Sequence, residues 1–246
     1  MTEGWLAQSA EDFWTAVGYT LPYPRDVRYI VSRAFPLSVI SLPHLCVQQV
    51  EAWLQHHYIT FRFLCQDRSL CGCIIAVRGH GLIFVDSLDA DAEQRYTIAH
   101  ETAHFLLDYH YSRRQALSVF GERILPVLDG ERAPTQNERL DAFLSSVKLG
   151  SYSDLMPRSQ EGGLDQGYIL RAEQKADRFA LELLAPAAQV IPEIFSLSAP
   201  SPVEHLRVAA QLLTSIYGLP PSVAKKYSDL LLRPRLRPSI ARWFGL

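Results

Sequence analysis

The sequence predicts an α+β fold: a small antiparallel three-stranded sheet packed on two motif helices, followed by a helical C-terminal extension. Three observations carry this. Apolar, β-branched and aromatic runs in "YITFRFLCQDRSLCGCIIAVRGHGLIFVDS" (58–87) are broken only by QDRS and RGHG, which gives three short strands in a meander. Two stretches with helical apolar spacing, "RYTIAHETAHFLLDYH" (95–110) and "LRAEQKADRFALELLAP" (170–186), each carry ionisable residues four apart. Finally, "HLRVAAQLLTSIYGLPPSVAKKYSDLLL" (205–232) reads as two helices joined by GLPPS.

In chain order, residues 1–41 mix short helical patterns with Pro22, Pro24 and Pro36 and read as a peripheral arm. From Leu42 to His56 the apolar residues Cys46, Val50, Trp53 and Leu54 recur at helical spacing and predict an amphipathic helix. The strand meander follows. Asp91, with Gln94 three residues on, is placed to cap a helix running through Tyr109. The stretch 112–170 is less regular and reads as an insertion. Within it, "NERLDAFLSSVKLG" puts Leu140, Phe143, Leu144 and Val147 on one helical face, and "RSQEGGLDQG" is a polar, glycine-rich loop. The second motif helix stops at Pro186. The expected organisation is therefore an arm (1–41), a core (42–190, with the insertion at about 112–170), and a helical pair with a basic tail (200–246).

Bulk properties narrow the class. A chain of 246 residues can bury a substantial core without staples. Hydrophobic content of 48%, charged content of 20% and a net charge of -2 match an ordinary soluble protein, with no global attraction to nucleic acid or membrane. Glu3, Glu11 and Asp12, without a basic segment ahead of an apolar run, argue against a secretory signal, and no stretch approaches the ~18 apolar residues of a membrane span. Cys46, Cys65, Cys71 and Cys73 lack zinc-type spacing and read as thiols of a reducing, cytoplasmic compartment.

The chemistry concentrates in His100-Glu101-Thr102-Ala103-His104, which fits the pattern HExxH. Residues four apart on an α-helix differ by only about 40° around its axis, so both imidazoles can reach one zinc ion. Glu101 sits beside His100, where its carboxylate can act on a water as general base. Ile98, Ala99, Ala103, Phe105 and Leu106 make this helix largely apolar, and a polar trio buried there without a purpose would be costly.

A catalytic zinc takes three protein ligands and keeps one position open. His110 is one candidate, at the spacing HExxHxxGxxH. The glycine of that pattern lets the chain bend back, but here Leu107 stands in its place and continues the helix. Met156 in "DLMPR" is weak support for a methionine turn. Glu173 is the second candidate: Glu173 and Asp177 share one face of a helix whose Ala176, Phe179, Ala180, Leu183 and Leu184 form its apolar side. In that arrangement Glu173 would bind the metal while Asp177 accepts the free ring N–H of a ligand histidine. Glu182 lies on another face and is a reserve.

Together, "RYTIAHETAHFLL" and "EQKADRFALELLAP" resemble the ImmA/IrrE family of bacterial zinc metallopeptidases, in which an HExxH helix is followed by an ExxA(D/N)xFAxxLLxP helix. The resemblance covers roughly Leu42 to Pro186. It implies a zincin-like core of the gluzincin kind, one zinc ion held by His100, His104 and Glu173, Glu101 as catalytic base, and a cytoplasmic enzyme. Its substrate would be a regulatory protein such as a transcriptional repressor, in a stress or transcriptional response. Two departures stand out. The 68 residues between His104 and Glu173 exceed the family spacing, and Thr102 stands where an aliphatic residue is common.

Other features have plainer readings. Tyr109, His110, Tyr111 and Arg178 lie near the motifs, but nothing selects one of them to stabilise an oxyanion. The helical pair resembles a helix-turn-helix in outline, yet Lys225 and Lys226 are the only cations in its second helix before Arg233, which argues against direct nucleic-acid binding. "RPRLRPSIARWF" is a basic, solvated tail, and His56-His57 a polar helix end. The alternative to a peptidase is a regulatory module that keeps the metal fold and docks a transcription factor or DNA without proteolysis. Glu101 favours the enzyme, because a scaffold has no need of a general base.

Overall fold

The computed structural model describes residues 4–18, 22–145, 147–150, 152–158, 166–199 and 201–236. The basic tail from Arg237 onward and the centre of the glycine-rich loop, 159–165, lie outside them. The described elements are α1 (Gly4–Val17), α2 (Val27–Ala34), β1 (Leu37–Leu42), α3 (Val47–His56), β2 (Leu70–Val77), β3 (His80–Asp86), α4 (Asp91–His104), α5 (Tyr111–Phe120), α6 (Leu125–Leu128), α7 (Gln136–Leu144), β4 (Tyr152–Pro157), α8 (Gln166–Leu184), α9 (Ala187–Ser196), α10 (Pro202–Ser215) and α11 (Pro221–Leu236). A π-helical turn, Phe105–His110, joins α4 to α5. The fold is α+β. Among the described residues no single helix is long and apolar enough to cross a membrane.

Two compact units divide the chain, one formed by Val27–Ala180 and the other by Met1–Asp26 with Leu181–Leu246. The first is built on a four-stranded mixed sheet in the order β1-β3-β2-β4. This corrects the expected three-stranded antiparallel sheet. Only β2 and β3 come from the meander; β1 joins parallel to β3, and β4 joins antiparallel to the other side of β2. The segment "YITFRF" forms no strand. Its alternating Ile59, Phe61 and Phe63 pack against the core, and the Phe63 N–H donates to Glu51 Oε1 on α3 instead of to a sheet ladder. The alternation was real, but packing on a helix satisfied it. The two added strands pair across long stretches of chain, which local periodicity does not register.

Strand alternation sorts the sheet into two faces. On one, Cys73 and Ile75 of β2 with Leu82 and Phe84 of β3 bury against Leu45, Val47, Val50 and Leu54 on and before α3. That helix begins at Val47, later than the expected Leu42, because Leu42 ends β1 and His44 turns the chain with φ of 55°. The opposite face, with Gly72, Ile74 and Ala76 on β2 and Gly81, Ile83 and Val85 on β3, meets α4 and the π turn. A Cβ on Gly72 would run into the Thr97 methyl, and one on Gly81 would stand 2.7 Å from Phe105 Cδ2. Two glycines thus let the helix lie close on the sheet.

Helix α4 starts with Asp91 as its first helical residue rather than as its cap. Ala90 occupies the cap position, and the Gln94 side chain donates to the Ser87 and Asp89 carbonyls. The helix does not end at Tyr109 but continues through the π turn into α5. In α7, capped by a reciprocal Thr135–Glu138 box, the expected apolar face is largely outside: Leu140, Phe143 and Leu144 are 57%, 80% and 71% exposed, while Ala142 and Val147 are buried. In the second unit, α10 and α11 form a helical pair. There Arg25 stacks on Trp14 and donates to the Leu183 carbonyl, and Tyr227 donates to that of Ala185.

Candidate metal centre

The centre lies wholly within Val27–Ala180. From Tyr96 to His104 every side chain of α4 is buried, because the helix is sandwiched rather than surface-lying. His100 and His104, one turn apart, bring their Nε2 atoms to 3.2 Å. Helix α8 brings Glu173 against both: Oε2 is 3.3 Å from His100 Nε2, and Oε1 is 3.5 Å from His104 Nε2. Strand β4 adds a fourth donor, Asp154, with Oδ2 3.7 Å from His104 Nε2. One ligand atom from each of His100, His104, Asp154 and Glu173 lies within 4.8 Å of all the others. This group could hold a metal ion. His110 is not in it; its ring rests against Phe105 and Phe35. Glu182 is not in it either, since its Oε2 accepts the Ala187 N–H in the other unit. Met156 sits within β4, opposite Gly72, and makes no turn.

Each histidine is held from behind. His100 Nδ1 donates to Asp177 Oδ1 at 3.0 Å, and the Tyr96 hydroxyl donates to the same oxygen at 2.8 Å. His104 Nδ1 lies 3.0 Å from Asp108 Oδ2 and 3.0 Å from the Tyr152 hydroxyl. Carboxylates on Nδ1 fix the tautomer that aims each Nε2 at the shared point. Thr102 sends its hydroxyl to the Ile98 carbonyl at 2.7 Å, which lets it stay buried.

Sequence reasoning singled out Asp177 but missed Asp108, Tyr96, Tyr152 and Asp154. For two of them a signal was present. Tyr96, His100, His104 and Asp108 recur every four residues, and so form one stripe along the helix and into the π turn. For Tyr152 and Asp154 the sole cue was a short alternation in a polar stretch, and the strand pairing that opposes Ile74 to Asp154 is remote in sequence.

Electrostatics show what the cluster asks for. Burial pushes the His100 imidazole down, but its bonds to Asp177 and Glu173 outweigh that and raise it to about 9. Burial opposes the charge of His104 as well, yet Asp108 and Glu173 lift it to about 11. Glu173, pushed up by burial, is held at about 2 by hydrogen bonds from the two histidines. Burial raises Asp154. Acids outnumber bases at this point, so the site draws positive charge. A divalent cation would supply it and leave both imidazoles neutral.

Glu101 stands apart. It is 0% exposed, and neither of its oxygens has a hydrogen-bond partner. Burial, helped by the nearby Asp154 charge, pushes its carboxyl up to about 8. Tyr109 is already engaged, since its hydroxyl accepts the Gly79 N–H at 2.7 Å, and Tyr111 faces solvent.

The chain matches no protein-family model, and no curated protein is significantly similar to it in sequence.

Proposed function

We propose that this protein is a zinc-dependent metalloendopeptidase of the ImmA/IrrE kind, with a zincin-like core, that cleaves a regulatory protein such as a transcriptional repressor in the cytoplasm. One observation carries the reading. Two imidazole nitrogens and a carboxylate from a second helix converge within 3.2–3.5 Å, beside a buried glutamate whose oxygens have no partner in the protein. Two nitrogens and one carboxylate oxygen suit zinc, and the same set occurs at catalytic zinc sites. An unpartnered buried carboxylate is expensive to maintain, and a general base is the role that explains it.

A zinc ion held by His100, His104 and Glu173 would polarise a peptide carbonyl and make water more acidic. Glu101 takes the proton from the attacking water and delivers it to the departing amine nitrogen. Asp177 and Asp108 keep the two imidazoles in register throughout.

The reading is tested by incubating zinc-loaded full-length protein with a proteome-derived peptide library and sequencing the new termini. Wild type should cut at a defined sequence. Glu101→Gln should bind zinc equally and cut nothing, and a chelator should abolish cutting by wild type. A wild-type protein that binds zinc yet produces no new termini, from the library or from folded repressors, overturns the peptidase.

A further inference from the structure

We infer that Asp154 is a fourth protein donor that closes the metal site while strand β4 is docked, so that the enzyme proposed above cuts only from the fraction of molecules in which β4 has carried Asp154 away. The inference rests on that metallopeptidase reading.

Donors bound at 2.0–2.2 Å to one tetrahedral zinc stand roughly 3.3–3.6 Å apart. Around His104 Nε2 the separations are 3.2 Å to His100, 3.5 Å to Glu173 and 3.7 Å to Asp154, and all four donor atoms lie within 4.8 Å of one another, so Asp154 stands within reach of an ion held by the other three. Its Oδ2 is fully buried and accepts no hydrogen bond. Asp177 and Asp108, by contrast, each engage one oxygen with an imidazole Nδ1 atom. A buried, unbonded carboxylate oxygen 3.7 Å from the His104 imidazole makes sense when a cation completes its environment.

A catalytic zinc keeps one position for water, and four protein donors fill that position. Asp154 therefore competes with the water that Glu101 needs. The placement also supplies a release. Strand β4 is an edge strand that pairs with β2 alone, with an irregularity between Leu70 and Gly72. Withdrawing it breaks one ladder and the Tyr152 contact to His104 Nδ1, whereas the other three donors are carried by α4 and α8.

The test uses full-length protein stripped of metal and reloaded with Co2+, whose visible absorption reports its ligands. Acetohydroxamate is then titrated into wild type, Asp154→Ala and Asp154→Asn, with His100→Ala and Glu173→Ala alongside. Asp154→Ala should keep cobalt, with an affinity below that of wild type. Its spectrum should change at acetohydroxamate concentrations that leave wild type unaltered. Asp154→Asn, nearly the same shape, should follow Asp154→Ala and serves as the comparison should the alanine variant unfold. Equal cobalt affinity and equal response to acetohydroxamate in wild type and both Asp154 variants overturn the latch while leaving the three-ligand site intact. If His100→Ala and Glu173→Ala hold cobalt as well as wild type does, the metal site itself fails, and the latch with it.

Discussion

Asp177 Oδ1 receives two hydrogen bonds, from His100 Nδ1 at 3.0 Å and from the Tyr96 hydroxyl at 2.8 Å, and so connects α8 to α4 behind the candidate metal site. Burial alone would raise this carboxyl, but the bond from His100 outweighs it and the group sits below its ordinary range. It stays ionised and orients the imidazole. Replacing it should therefore act on metal affinity before it acts on folding. Asp177→Ala is expected to weaken zinc binding on the order of 10- to 100-fold in competition with a chromogenic chelator, and Tyr96→Phe by less. Unchanged affinity in Asp177→Ala would remove it from the site.

Gly72 is where β2 lets α4 approach. A Cβ there meets the Thr97 methyl and stands 3.1 Å from Glu101 Oε1. Gly72→Ala is expected to destabilise by about 1–3 kcal/mol, the usual range for overpacking a filled interior. Thr97→Ser removes the obstructing methyl, so the double variant should recover part of that loss. Urea denaturation of all four proteins measures the coupling, and strict additivity would show that the clash is relieved elsewhere.

Asp86 should govern part of the acid stability. It is buried and accepts the His44, Leu45 and Leu88 N–H groups and the Arg158 guanidinium, at 2.8–3.1 Å. Burial acts to raise its carboxyl, yet the Leu88 and Leu45 N–H groups and Arg158 outweigh that and leave it below 3.8. A depressed carboxylate contributes stability that is complete above the unfolded value and disappears as pH falls through the folded one. The gap in unfolding free energy between wild type and Asp86→Asn should be widest near neutrality and close below about pH 4. A gap independent of pH would mean that the charge of Asp86 contributes nothing.

The outward apolar face of α7 predicts a contrast. Phe143, 80% exposed, should tolerate serine within about 0.5 kcal/mol. Phe84, 0% exposed between the sheet and α3, should lose roughly 3–5 kcal/mol as alanine. Comparable losses at both positions would show that Phe143 is covered in solution.

The parts of the site on helices were readable because helical geometry is local. His100, Glu101 and His104 lie within five residues, and Glu173 and Asp177 are one turn apart. Spacing alone puts such residues on one face. The same locality made β2 and β3 legible, as consecutive strands separated by the tight turn at Arg78 and Gly79. It failed for "YITFRF", whose alternation a strand and a segment lying on a helix satisfy equally well. It failed also for α7, where an apolar stripe was present but nothing in the chain said which way it would face.

What the sequence by itself determined is the donor chemistry: two imidazoles and an adjacent carboxylate on one helix, and two carboxylates on another. What only the tertiary structure decided is how those helices meet and what else reaches the meeting point. Asp154 comes from a strand whose partner, Ile74, is 80 positions earlier, and Gly81 stands opposite Leu37 across a parallel pairing. The reason is physical. Side-chain direction within a helix follows from a repeat of ~3.6 residues, whereas strand pairing follows from which distant surfaces bury together with every backbone group satisfied.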